Sequence, residues 1–154
     1  MPQLRHQGKH VFGWSLIRKD NSLCFPLDLI NEYHLEKESD IILFTASKTS
    51  GGFCISKLDV LKSSKLSSII TNNPILEDSE KIGEIIKYKG KDYCHLKMTA
   101  CDYLILSDEI LNNFNLKNND KLLLVRGSNI AFDCLSKGPL INLANNSDKD
   151  IKIY

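Results

Sequence analysis

The sequence predicts a mostly β fold with short helices, built from two copies of one unit. Leu23, Asn31 and Leu35 recur as Leu104, Asn112 and Leu116, a spacing of 81 residues. Asp40, Leu43, Cys54, Ser56 and Lys57 recur as Asp120, Leu123, Cys134, Ser136 and Lys137 at a spacing of 80, which places one inserted residue near Ser39. A repeat of this length is a copied structural unit. Both copies also read in one order: strand, short helix, strand, hairpin turn, strand.

The elements follow in turn. Residues 11–17 alternate loosely and predict a lead-in strand, followed by a polar turn over 18–22. Residues 23–25 form a short apolar run that stops at Pro26, a residue suited to the first helical position because its missing N–H is unpaired there anyway. Asp28 falls in the first turn, where a carboxylate suits the helix dipole. Leu27, Ile30 and Tyr33 then share a face at helical spacing. Ser39 suits a tight turn, residues 41–45 a buried strand, residues 47–52 a hairpin loop and residues 53–55 the closing strand. Residues 57–70 predict one amphipathic linker helix, with Leu58, Leu61 and Ile69 apolar, broken by the Thr71-Asn72-Asn73-Pro74 segment.

The second copy opens with a hairpin of 82–88 and 93–98 about residues 89–92. A polar turn leads to the strand before Ser107, whose hydroxyl can cap the next helix. Ile110, Leu111 and Phe114 form that helix's apolar face. Residues 121–125, a turn at 126–129 and residues 130–135 complete the copy. The division is thus 9–57 for the first copy, 58–81 for the linker, 82–144 for the second copy and 145–154 for a polar, frayed tail.

At 154 residues and 42% hydrophobic content, the chain has the size and composition of one compact globular unit or two small interlocked ones. Its 20 basic and 19 acidic residues give a net charge of +1, so any basic site must be a local patch. The first residues lack the apolar core of a secretory signal, and no run approaches a membrane span. Five scattered cysteines without a C-x-x-C pair predict a reduced, cytoplasmic protein with no zinc site. The histidines lack ligand spacing, so neither metal nor cofactor is expected. Cys94 and His95 are adjacent on a strand and point to opposite faces, which argues against a nucleophile and base pair. No motif signals an enzyme. Thr49-Ser50-Gly51-Gly52 lacks the features of a phosphate-binding loop and reads as a hairpin turn.

Phe25-Pro26, Leu35 and Asp40, repeated as Leu106-Ser107, Leu116 and Asp120, resemble the core of the AbrB/MazE/SpoVT swapped-hairpin family. The two-copy organisation is similar to that of MraZ, without the MraZ signature. The resemblance implies a tandem swapped-hairpin barrel with internal pseudo-twofold symmetry, and a DNA-binding transcriptional regulator acting on double-stranded DNA. The arginines that family DNA binders carry fall at Ser22 and Tyr103, and at Ile30 and Leu111, in this chain. The remaining candidates for phosphate contact are Arg18 and Lys19 in one lead-in turn, Lys97 before the other, and Arg5 and Lys9 in an N-terminal arm. The alternative is a module that keeps the barrel for oligomerisation or protein interaction. Self-association through the linker helix is a further expectation, and a membrane partner is not expected.

Overall fold

The computed structural model describes residues 4–6, 9–146 and 151–154, with the backbone alone at 4–6 and at Lys9. The fold is mostly β, with ten strands and five short helices among the described residues. Eight strands form one antiparallel sheet. They are β1 (Leu4–His6), β2 (Lys9–Leu16), β4 (Asp40–Thr45), β5 (Phe53–Lys57), β6 (Ile85–Tyr88), β7 (Lys91–Lys97), β9 (Lys121–Arg126) and β10 (Ala131–Leu135). The remaining two, β3 (Ser22–Cys24) and β8 (Tyr103–Ile105), pair with each other as a separate antiparallel ribbon.

The spatial order of the large sheet is β1-β2-β9-β10-β5-β4-β7-β6. Strand β2, from the lead-in of the first repeat, pairs with β9 of the second, with Trp14 opposite Leu123. Strand β7, from the lead-in of the second repeat, pairs with β4 of the first, with Leu96 opposite Ile41. The closing strands β5 and β10 meet in the middle, Ile55 opposite Phe132.

Alternation along each strand divides the apolar residues between two faces. One face holds the main core. Leu43, Phe53, Ile55, Leu122, Leu124 and Phe132 pack there with Leu23 and Leu104 of the ribbon and with the helices α1 (Leu27–Tyr33) and α4 (Asp108–Asn113). The two helices start differently. Pro26 sits at the cap position, one residue ahead of the first helical turn where the sequence suggested it, and gives α1 no side-chain cap. The Ser107 hydroxyl accepts from the Ile110 N–H at 3.2 Å and caps α4 as expected.

The opposite face is covered in two pieces. Over β4 and β7 lies the linker, which is two short helices, α2 (Leu58–Lys62) and α3 (Ser68–Thr71), where the sequence pattern suggested one. Residues 63–67 form turns in which the Ser64 hydroxyl donates to the Leu61 carbonyl at 2.8 Å and accepts from the Leu66 N–H at 3.0 Å, taking over backbone partners that a continuous helix would use. Leu61, Ile69 and Ile70 are buried against Ile42, Phe44 and Tyr93. Leu61, Ile69 and Ile70 of the linker are therefore spent inside the chain, while Val60 and Leu66 remain 37% and 43% exposed. Over β2 and β9 lies α5 (Pro139–Asn145), where Leu140, Ile141 and Ala144 pack with Trp14, Leu123 and Val125.

The tail differs most from its polar composition. Residues 151–154 return to β2: the Trp14 N–H donates to the Lys152 carbonyl at 2.8 Å, and the Tyr154 N–H donates to the Trp14 carbonyl at 2.7 Å. Gly13 makes this approach possible. A Cβ there would meet Tyr154 Cε2 at 2.6 Å and the Lys152 carbonyl at 2.8 Å, and its φ of +149° is one that side chains rarely adopt. No helix among the described residues is long and apolar enough to cross a membrane.

Candidate functional site

The lead-in turns, where the sequence concentrates its cations, are the first place to look for an anion-binding surface. Residues 18–21 turn between β2 and β3, closed by the Asn21 N–H donating to the Arg18 carbonyl at 2.9 Å. The Asn118 side-chain amide donates to both the Arg18 carbonyl and Asn21 Oδ1, each at 2.8 Å, and Asn21 in turn donates to Asp108 at 2.8 Å. Arg18 and Lys19 are exposed on this clamped turn. Asp20 lies beside them, its carboxyl accepting from the Ser22 N–H at 3.0 Å. That interaction with Ser22 holds its pKa below the ordinary value.

The second lead-in turn, residues 99–102, precedes β8. Because β3 and β8 are antiparallel, with Ser22 opposite Ile105 and Cys24 opposite Tyr103, the two turns sit at opposite ends of the ribbon. Lys97 ends the strand leading to the second turn, whereas Arg18 and Lys19 lie in the first. The Lys97 ammonium lies 3.1 Å from Asp40 Oδ1, an oxygen that also takes His95 Nε2 at 2.9 Å. Burial alone would raise the Asp40 pKa, but the hydrogen bonds from His95 and Lys97 outweigh it and the carboxyl titrates below its ordinary value. Arg5 and Lys9 lie on the backbone of the β1–β2 hairpin, with Arg5 opposite His10 and Lys9 opposite His6. Their side chains fall outside the described residues.

Other cations are likewise engaged. Arg126 Nε donates to Glu32 at 2.7 Å, and its guanidinium also bonds Asn129. Lys57 donates to the His34 carbonyl at 3.0 Å, and Lys62 lies 3.4 Å from Glu77. A hollow of about 320 Å³ beside Asp40 interleaves Lys37, Lys57 and Lys62 with Glu36, Glu38 and Asp59. Mixed signs at this density give no single-sign field to draw in a polyanion.

The cysteine and histidine neighbours separate as the strand period requires. Cys94 is buried in the main core, where burial pushes its thiol up to about 12. His95 faces Asp40 on the other side of the sheet, 2% exposed, with Nδ1 buried and without a hydrogen-bond partner among the described residues. No group of three or more His, Cys, Asp or Glu side chains comes together in metal-binding fashion among the described residues.

Sequence reasoning missed the Asp40–His95–Lys97 cluster, whose members come from different repeats and meet only through the β4–β7 pairing. Asp40 is the repeat-matched aspartate, and its match to Asp120 was the one available signal. No family model matches the chain, and comparison with curated proteins and with solved structures finds no match either.

Proposed function

We propose that this chain is an internally duplicated swapped-hairpin barrel that serves as an oligomerisation or protein-interaction module and not as a reader of duplex DNA. The duplication is supported by the pairing. If the two repeats exchange names, β2 becomes β7, β4 becomes β9 and β5 becomes β10, and the six strands β2-β9-β10-β5-β4-β7 read the same from either end. The ribbon pairs equivalent strands, β3 with β8, as a twofold axis requires.

One observation carries the functional reading. The first lead-in turn presents Arg18 and Lys19 exposed, whereas the cation on the second side, Lys97, is engaged by Asp40, so the two halves do not offer a duplex matched cations. A duplex held through its phosphates needs several cations converging on one surface. The second reading, a DNA-binding regulator of the AbrB/SpoVT type, draws on Arg18 and Lys19, which stand exposed side by side on a turn held by the Asn118 side chain.

Fluorescence titration of random duplex DNA at low salt and at tenfold higher salt separates the two. The module reading predicts no saturable binding at either. Two phosphate contacts from Arg18 and Lys19 would make affinity fall about 60-fold over that range. Binding with such a slope, abolished by R18A and K19A together, would overturn the proposal in favour of the regulator.

A further inference from the structure

We infer that β6 is a self-association edge: two copies of this chain pair through antiparallel β6 strands about a twofold axis at Ile86, joining their sheets. The inference deepens the interaction-module reading and rests on it.

Strand β6 ends the eight-stranded order and has a neighbour, β7, on one side only. The β6–β7 hairpin closes through Lys89 and Gly90, both at positive φ, with Tyr88 opposite Lys91. A two-residue turn of this kind makes Tyr88/Lys91 and Ile86/Tyr93 the pairs that exchange backbone bonds. Lys87 and Asp92 then form a pair whose backbone groups point away from each other. The Asp92 N–H does so, donating to the Thr45 hydroxyl on the β4 side at 2.9 Å. By the same alternation, the backbone N–H and C=O groups of Lys87 and Ile85 point out from the free edge. Among the described residues, no backbone group bonds to them.

Such a row is a template for another strand. Centring an antiparallel pair on Ile86 sets Ile85 of each copy opposite Lys87 of the other, so the outward groups of both residues are matched at once. The charges fit this direction. The edge runs from an acidic start at Glu84 to a basic end at Lys87 and Lys89, and the antiparallel arrangement lays the acidic end of one copy against the basic end of the other. Glu109, at the start of α4, shares a groove of about 640 Å³ with Ile82, Ile85 and Ile86. Lys87 of the second copy, opposite Ile85, enters beside that carboxylate. Ile82, 36% exposed, lines the same groove and gains cover. A lysine on an edge strand often guards against pairing. Here its ammonium, in the single chain, lies 2.9 Å from Asp92 on its own β7 and off the edge backbone, and pairing exchanges that carboxylate for Glu109 of the other copy.

An edge of four residues predicts a weak dimer, so the test is sedimentation equilibrium on the full chain up to about millimolar concentration. The wild type is expected to approach twice the monomer mass as concentration rises. K87P removes an outward N–H without touching the β6–β7 bonds and is expected to raise the dissociation constant about tenfold or more. K87A, which keeps the N–H, is expected to weaken it less. Circular dichroism reports whether K87P folds; if it does not, E109K, on an exposed helical position, is expected to weaken the dimer by placing like charges together. A wild type that stays monomeric throughout overturns the inference and leaves the edge unpaired or open to a foreign strand. So does dimerisation indifferent to both K87P and E109K. Either result leaves the interaction-module reading standing unless the DNA titration also shows salt-sensitive binding, which is the separate failure of that reading.

Discussion

At the scale of single residues, Asp40 ties the first repeat to the second. It accepts from His95 Nε2, which is buried, and from Lys97, which is exposed. Removing the carboxylate in D40A strands a buried imidazole N–H, at a cost of about 1–3 kcal/mol. The pH dependence has a definite sign. The folded-state pKa of Asp40 lies below its unfolded value, so its contribution is complete above the unfolded value, about 4, and is lost as pH falls through the folded pKa. Urea melts of wild type and D40A at neutral and acid pH are expected to converge as pH drops below about 4. Gly52 is a second test. Its φ is +70°, and a Cβ there would meet the Cys134 carbonyl oxygen at 2.0 Å. G52A is expected to lose about 2 kcal/mol or more of unfolding free energy. At this scale the sequence was partly legible. The strand period placed Cys94 and His95 on opposite faces, and the glycines at 51 and 52 read as a turn. The partner of His95 was not legible, because nothing in the local pattern around it refers to a residue 55 positions away.

At the scale of elements, the linker and the tail cover the second face of the sheet. Leu61 is fully buried under α2, and L61A is expected to cost about 2–5 kcal/mol in a thermal or urea melt while leaving the mass in solution unchanged. A change of mass without a change of stability would return the linker to an intermolecular role. Truncation of residues 151–154 is expected to expose Trp14, 6% exposed in the intact chain, and to shift its fluorescence to the red. The strands of the repeat were legible to within a few residues because alternation, turn residues and repetition all agree there. The linker pattern was helical in period, but its serines, free to bond nearby backbone, divide it. The return of the tail left no periodic signal, since only Ile151 and Ile153 in it are strongly apolar; its docking depends on the missing side chain at Gly13.

At the scale of the whole molecule, the repeated residues suggest which segments correspond but not which ones touch. Any pairing of the predicted strands satisfies their hydrophobic alternation, and the choice of β2 with β9 and β7 with β4 is made by tertiary packing around one shared core. For the same reason, composition could say only that a basic site must be local. It could not say that the two lead-in turns stand at opposite ends of a ribbon. The crossed pairing also explains why one chain can complete the barrel proposed for it: each repeat supplies a strand that the other lacks. Separate chains of residues 1–78 and 79–154, studied by circular dichroism and sedimentation alone and mixed, test this most directly. Neither half is expected to yield a folded monomer, and mixing is expected to restore cooperative unfolding in an equimolar complex. Two halves that each fold as independent monomers, indifferent to mixing, would contradict this.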